Sequence, residues 1–122
     1  MRLCLFKEGN MKKVKKRLLI DLDGVLNTYT GEYIVNYIPP IAEGAREFLE
    51  ELNNEFELIL FSAREQEFVK QWSIEYDVNK YFTEITNKKR SAYLIIDDRC
   101  ICFKGNFNDT LKQIENFKKH TA

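Results

Sequence analysis

At 122 residues, of which 44% are hydrophobic and 13% aromatic, the chain is long enough for one packed domain and too short for two. The 19 basic side chains (Lys and Arg) balance the 19 acidic ones, so no overall charge favours a nucleic acid or an anionic membrane as partner. We therefore predict a single domain over residues 1–122, in which 1–16 form an N-terminal extension with a second possible start at Met11.

Two further features favour a cytoplasmic location. No segment is long and apolar enough for a transmembrane helix, and the N-terminus does not resemble a secretory signal. The three cysteines, Cys4, Cys100 and Cys102, are an odd number and suit reduced thiols better than a set of disulfides.

The first predicted strand, 17–21, is apolar up to its last residue, which is typical of a buried strand. It is followed by an aromatic segment, residues 28–40, which we call the flap. Its Tyr29, Tyr33 and Tyr37 are expected to lie in a hairpin with one face on the core. The flap is too short to contain a separate cap domain.

The rest of the chain alternates between amphipathic helices and apolar strands. Apolar strands separated by helices predict an α/β fold: a three-layer, Rossmann-like domain with a mostly parallel central sheet. Cys100 and Cys102 alternate on a short extended segment and are expected to be buried small hydrophobes. The predicted elements are helix 39–54, strand 56–62, helix 64–76, strand 81–86, strand 92–97 and helix 109–120. In the first helix Ile41, Ala45, Phe48, Leu49 and Leu52 share one face; in the second Phe68, Val69, Trp72 and Tyr76 are predicted to point inward; and in the third Leu111, Ile114 and Phe117 stand at helical spacing.

Polar residues collect where the predicted strands end. In open parallel sheets, ligands bind beyond the carboxyl ends of the strands, so residues at these ends are candidates for a common site. Two lysines also lie shortly before the fourth strand. The residues expected at this edge are Asp21, Asp23, Ser62, Asp97, Asp98, Lys88 and Lys89.

Three segments at these positions, DLDGVLN (21–27), FSAR (61–64) and KKRSAYLIIDD (88–98), resemble the ordered motifs of the haloacid dehalogenase (HAD) superfamily of phosphohydrolases. The resemblance is closest to the small capless members, whose last motif is Ile-Asp-Asp-Arg. It implies a HAD-like fold without a cap domain and hydrolysis of a phosphomonoester through an aspartyl-phosphate. The motifs span most of the domain, and their order is more specific than any one of them.

The resemblance also implies a role for each acidic residue. Asp21 would be the nucleophile, and Asp23 would protonate the leaving group and later activate water. Clustered carboxylates repel one another unless a hard cation joins them, and oxygen ligands suit Mg²⁺. The implied metal ligands are the Asp21 side chain, the Asp23 backbone carbonyl and Asp97, with Asp98 as a second ligand or an outer partner. The sequence does not separate Asp97 from Asp98.

Phosphate binding is implied for Ser62, Ala63 and Lys89. Relatives commonly follow the motif lysine with proline, whereas this chain has Arg90. The spacing to the aspartate pair favours Lys89, and Lys88 remains the alternative.

Some of these residues also have plain structural interpretations. The segment SARE fits a capping box, with Ser62 as the helix N-cap and Glu65 three residues on. Arg64 and Arg99 flank the predicted site, and we expect them to be salt-bridge or surface residues rather than substrate ligands.

The predicted function is therefore a phosphatase of a small phosphorylated metabolite, such as a sugar phosphate or a nucleotide. The alternatives are a non-catalytic phosphate-binding or regulatory relative and a phosphatase of a phosphoprotein or nucleic-acid end. We expect no membrane partner, a nucleic-acid partner is disfavoured by the neutral charge, and a homo-oligomer is an open alternative.

Overall fold

The computed structural model describes residues 14–117 and confirms the predicted α/β class with four strands and three helices. The predicted extension and Met11 lie outside the described residues apart from 14–16, and Lys16 already belongs to the first strand. None of the described helices has the length and hydrophobicity needed to span a bilayer. The elements are β1 (Lys16–Asp21), α1 (Ala45–Asn53), β2 (Phe56–Phe61), α2 (Gln66–Glu75), a 3₁₀ turn (Asn79–Tyr81), β3 (Phe82–Thr86), β4 (Leu94–Ile96) and α3 (Phe107–Asn116).

The four strands form one parallel sheet in the order β3-β2-β1-β4, an arrangement consistent with a Rossmann-like fold. β1 pairs with β2 along its whole length, from Lys16 opposite Phe56 to Asp21 opposite Phe61. The chain moves outward from β1 to β2 and β3 and then returns to the other side of β1 as β4. The strand order therefore reverses between β1 and β4, which is where open parallel sheets bind their ligands.

Both faces of the two central strands are buried, as expected for a parallel sheet. On one face, alternate residues of β1 and β2 pack against helices α1 and α2. On the opposite face, Leu19 and Ile59 are each only 1% exposed. The first-face cluster includes Leu18, Ile20, Leu58 and Leu60 from the strands and Ala45, Leu49, Val69 and Trp72 from the helices.

Helix α1 begins at Ala45 rather than at residue 39, so the predicted start was wrong. The carbonyl oxygen of Pro39 accepts a hydrogen bond from the Trp72 indole at 2.9 Å, and that of Pro40 accepts one from an N–H at the other end of the flap at 3.0 Å. These long-range hydrogen bonds keep residues 39 and 40 out of the helix. Of the residues predicted to share one face, Ala45 and Leu49 are buried, Ile41 and Leu52 are half-buried, and Phe48 is 40% exposed.

The other two helices show how far periodicity predicts burial. In α2, Val69 and Trp72 are buried as predicted, whereas Phe68 is 39% exposed. Helix α3 buries none of its residues, and Leu111 and Ile114, which stand at helical spacing, are more than half exposed. An apolar stripe identifies one face of a helix but not an element that covers it. The predicted end of this helix beyond residue 117 lies outside the described residues.

The two described cysteines, Cys100 and Cys102, are exposed free thiols, so their predicted burial was wrong. β4 ends at Ile96, and the segment that carries the cysteines has already left the sheet. Alternation implies burial only where a strand has a covered face. Cys4 lies outside the described residues.

The flap does not form the predicted hairpin. It contains a single bridge, between Ile34 and Tyr37, and a second bridge joins Asn27 to Ile41 across its base. Left-handed backbone at Gly31 (φ 113°) and Asn36 (φ 60°) turns the chain without extended pairing. The segment between β1 and α1, residues 22–44, thus consists of turns and isolated bridges and contains neither an extended strand nor a helix.

Candidate active site at the carboxyl ends of β1 and β4

Three carboxylates meet where the strand order reverses. Asp21 is the last residue of β1, and Asp97 and Asp98 directly follow β4, which lies beside it. One oxygen atom from each side chain lies within 4.8 Å of the other two, and all three residues are half-buried. We call Asp21, Asp97 and Asp98 the carboxylate triad. The structure thus brings together three residues that the sequence placed at the ends of two different strands.

The electrostatic environment of Asp21 disfavours its charge. Burial, first, and then the negative charges of Asp97, Asp23 and Asp98 together raise the pKa of the Asp21 carboxyl from 3.8 to about 7, against the opposing effect of the hydrogen bond from the Leu22 N–H. A carboxylate among other carboxylates needs nearby positive charge to stay ionised at neutral pH. The triad is therefore a site that favours a proton or a cation.

Gly24 allows the Asp98 carboxylate to lie against the turn after β1. Its backbone is left-handed, with φ of 82°, and a Cβ atom placed there would lie 2.1 Å from Asp98 Oδ2. Any larger residue would both strain the backbone and displace that carboxylate. Glycine at this position is thus needed for the geometry of the triad as well as for the turn.

The Asp23 side chain is bound differently from the triad. Arg64 Nε donates hydrogen bonds to Asp23 Oδ1 at 3.1 Å and Oδ2 at 2.9 Å, and Asn27 Nδ2 donates to Oδ1 at 3.0 Å. Asn27 is only 4% exposed, and its own Oδ1 accepts the N–H groups of Gly24 and Tyr29. The carboxylate of Asp23 is therefore held by a positive charge and a fixed amide. We call Asp23, Asn27 and Arg64 the Asp23 network.

The predicted cap at Ser62 is wrong. Helix α2 begins at Gln66 with Glu65 at its N-cap, and no side chain caps it. Ser62 is 2% exposed, and its Oγ instead accepts the N–H of Arg64 at 3.1 Å. Ala63 lies in the exposed bend between them. Ser62 thus shapes the loop from which Arg64 reaches Asp23.

Lys89 lies on the same side of the sheet as Asp21. Its Nζ is 5.8 Å from the centroid of the Phe61 ring. Phe61 is registered with Asp21 in the parallel pair, so both side chains project from the same face. Arg90, which stands where relatives have proline, forms an exposed ion pair with Glu84.

The loop after β4 orients one member of the triad. The backbone N–H of Arg99 donates to Asp97 Oδ1 at 2.9 Å, and Cys100 Sγ lies 3.4 Å from the Asp97 carbonyl oxygen. Arg99 itself is exposed, as predicted for a surface residue. The backbone of this loop, rather than the arginine side chain, therefore contacts the site.

Sequence reasoning missed Asn27, and it predicted a salt bridge or a surface position for Arg64 without naming the partner. Arg64 was expected to be a salt-bridge or surface residue, and it forms a salt bridge with its side chain only 7% exposed. Its partner Asp23 is 41 residues away along the chain, a pairing that spacing alone does not reveal. Asn27, four residues after Asp23, carried a usable signal because a turn often bonds to its own side chains.

Comparison of the chain with protein-family models, with curated proteins and with solved structures gave no match. The function of this site must therefore be inferred from its own residues.

Proposed function

We propose that this chain is a Mg²⁺-dependent phosphomonoester hydrolase of the capless HAD type that works through an aspartyl-phosphate at Asp21. The observation that carries the proposal is the carboxylate triad, whose oxygens lie within 4.8 Å of one another at the reversal of strand order. The three sequence segments that resemble HAD motifs support the same assignment, because each supplies residues to this edge of the sheet.

The donor set of the triad fits a hard divalent cation. All three donors are carboxylate oxygens on half-buried residues, the ligand type that Mg²⁺ prefers. Asp21, Asp97 and Asp98 would hold the ion, together with the Asp23 backbone carbonyl that the resemblance implies. When bound, the ion supplies the positive charge that keeps Asp21 ionised and offsets the charge of a phosphate.

The residues present account for both steps of hydrolysis. In the first step a carboxylate oxygen of Asp21 bonds to phosphorus, the bond from phosphorus to the leaving oxygen breaks, and Asp23, which must be protonated when the ester binds, transfers that proton to the leaving oxygen. In the second step the water oxygen bonds to phosphorus, the bond from phosphorus to Asp21 breaks, and the Asp23 carboxylate takes the proton from water and is protonated again. Inorganic phosphate leaves, and the Asp21 carboxylate is restored.

Phosphate binding is assigned to Lys89, Ser62 and Ala63. The position of the Lys89 ammonium over Phe61, on the Asp21 side of the sheet, supports its role in neutralising the phosphate. Ser62 is buried, and its Oγ accepts a hydrogen bond that shapes the loop. Its hydroxyl hydrogen would be the group that it donates to the phosphate. Ala63 would contribute its backbone, which lies at the exposed bend.

One observation favours a second candidate, a non-catalytic phosphate-binding protein. The Asp23 carboxylate is already bound by Arg64 and Asn27, as it would be if its role were structural. The two candidates differ in turnover. A binding protein retains phosphate affinity and releases no phosphate from an ester, whereas the phosphatase does release it.

We propose a small phosphorylated metabolite, such as a sugar phosphate or a nucleotide, as the substrate. The flap offers limited cover over the site, so a macromolecular phosphate ester is the alternative substrate, and a homo-oligomer is the alternative source of cover. The free thiols of Cys100 and Cys102 support a reducing cytoplasmic location.

The test is a hydrolysis assay with the purified protein, an aryl phosphate and a panel of phosphorylated metabolites. We expect phosphate release in Mg²⁺, loss of that release after exhaustive chelation, and its return when Mg²⁺ is restored. Full activity after chelation would contradict the metal requirement. Phosphate binding without turnover of any ester would favour the binding protein.

A further inference from the structure

Arg64 joins the predicted proton donor to the flap. Its side chain is only 7% exposed, and its Nε donates to both oxygens of Asp23. From the same guanidinium, Nη1 donates to the backbone carbonyl oxygen of Tyr37 at 3.0 Å. Since Tyr37 belongs to the flap and Asp23 to the turn after β1, one side chain fixes the distance between these two segments.

Two flap tyrosines pack around the same guanidinium. The Arg64 Cζ atom lies 4.9 Å from the ring centroid of Tyr33 and 5.7 Å from that of Tyr29. Tyr33 itself is 59% exposed, whereas the Arg64 side chain that it contacts is only 7% exposed. Such stacking adds attraction to the hydrogen bond at Tyr37. The flap therefore contacts the site through Arg64 in at least three places.

We propose that Arg64 is a positioning residue, which holds the Asp23 carboxylate for proton transfer and fastens the flap beside it. This inference rests on the proposed function for the proton transfer, whereas the fastening of the flap stands on the contacts alone. Proton transfer requires the carboxylate oxygen to lie within hydrogen-bond distance of the reacting oxygen. Donors on both oxygens of Asp23 restrict its rotation, and a misplacement of about 1 Å can lower a rate by about 100-fold.

The kinetic test compares an alkyl phosphate, which has a poor leaving group, with an aryl phosphate, which has a good one. We expect Arg64→Gln to lower kcat by about 10- to 100-fold for the alkyl ester and by less than about threefold for the aryl ester, with KM little changed. In the Asp23→Asn background, Arg64→Gln should add less than a twofold loss, because both changes remove the same function. Equal losses for both esters, a loss expressed mainly in KM, or multiplication of the two effects would overturn the assignment.

The second test is hydrogen exchange of the flap amides without substrate, which does not depend on phosphatase activity. We expect Arg64→Gln to speed exchange in residues 28–40 by about tenfold or more. Arg46→Gln is the matched control, because Arg46 also donates to a backbone carbonyl, that of Tyr76, away from the site. Its flap exchange should equal that of the wild-type protein. Unchanged flap exchange in folded Arg64→Gln would overturn the fastening role.

Arg64→Lys covers the case in which the glutamine variant does not fold. A lysine keeps the charge but lacks the planar fork that reaches Asp23 and Tyr37 together. We expect Lys at this position to restore part of kcat for the alkyl ester while flap exchange stays fast; slow flap exchange would contradict the proposal. If the wild-type protein hydrolyses neither ester, the proposed function fails, and flap exchange alone decides the fastening role.

Discussion

Asp21 and Asp23 are two residues apart, yet their charges have opposite surroundings. Asp21 lies among Asp97 and Asp98, and burial together with these charges raises its pKa to about 7. Asp23 accepts three hydrogen bonds, two of them from the guanidinium of Arg64. The chain therefore balances the charge of Asp23 from within and places the charge of Asp21 against other negative charges.

This difference indicates which carboxylate is arranged for an external partner. In this fold the charge of Asp23 is neutralised by Arg64, which lies 41 residues further along the chain. At the triad the same fold instead brings like charges together, which costs stability unless a cation or a proton joins them. We therefore propose that the triad is the part of the site organised around a ligand, whereas the Asp23 network is held by the protein's own side chains.

Among the variants that keep Asp21, we expect the largest loss of turnover from Asp23→Asn, and this loss sharpens the comparison of the two aspartates. The amide cannot donate a proton to the leaving oxygen or accept one from water, a role worth about 10² to 10⁴ in rate. We expect kcat for an alkyl phosphate to fall by that factor, and kcat for an aryl phosphate to fall less because its leaving group needs little protonation. Steady-state kinetics with both esters measures the difference. Equal losses would show that Asp23 acts through something other than proton transfer.

A smaller effect is expected when Gly24 is changed to alanine. The new Cβ would lie 2.1 Å from Asp98 Oδ2, so the carboxylate must move and Mg²⁺ affinity should fall by about 10-fold or more. Gly44→Ala is the matched control, because Gly44 has a similar φ of 87° and open space around it. Both variants should lose about 1 kcal/mol of stability to left-handed strain. Calorimetric titration with Mg²⁺ separates them, and equal affinities would contradict the assigned place of Asp98.

The smallest effects are expected in the stability of the metal-free protein, and they should have opposite signs. The Asp21 carboxyl binds its proton more tightly in the folded state than in the unfolded chain. It therefore contributes stability that is fully present below about pH 4 and is lost as the pH rises through about 7. Asp21→Asn removes this loss and should stabilise the protein at pH 8 by about 1–2 kcal/mol, allowing for solvent screening of the half-buried group. The gain should disappear near pH 4.

Asp23→Asn provides the contrast in the same experiment. It leaves the Arg64 guanidinium, with its side chain 7% exposed, without its anion, and should destabilise the protein at pH 8 by about 1–3 kcal/mol. Urea unfolding in chelator measures both variants. If both substitutions shift stability in the same direction at pH 8, the contrast between the triad and the Asp23 network is wrong.

The four strands, and the meeting of the carboxylates at their ends, were predictable because the sequence patterns that indicate them are local. Apolar runs predicted all four strands, and the rule that ligands lie at the carboxyl ends of parallel strands predicted that Asp21, Asp97 and Asp98 would meet. The parallel sheet followed from strands that were apolar on both faces and separated by helices. None of these steps required knowledge of a distant contact.

The errors arose where a distant partner, a later helix start or a missing covering element decided the structure. The carbonyl of Pro39 bonds to Trp72, which delays the start of α1, and no local pattern contains that bond. Ser62 lost its predicted cap position because α2 begins at Gln66. The exposure of Leu111 was not predictable because periodicity describes one face of a helix and not the element that covers it. A salt bridge was among the predictions for Arg64, but its partner Asp23 was not, because the two residues are 41 positions apart along the chain.

The most direct measurement of the central claim is the trapping of a phosphorylated enzyme. The protein is mixed with Mg²⁺ and an aryl phosphate, quenched in acid and digested, and the peptide that carries a phosphoryl group is found by mass spectrometry. We predict a phosphoryl group on Asp21, more of it in Asp23→Asn because hydrolysis of the intermediate is slowed, and none in Asp21→Asn, which should also have no turnover. Asp77→Asn, at an exposed aspartate that pairs with Lys80, should behave as wild type. Wild-type turnover in Asp21→Asn, or a phosphoryl group on another residue, would contradict the claim.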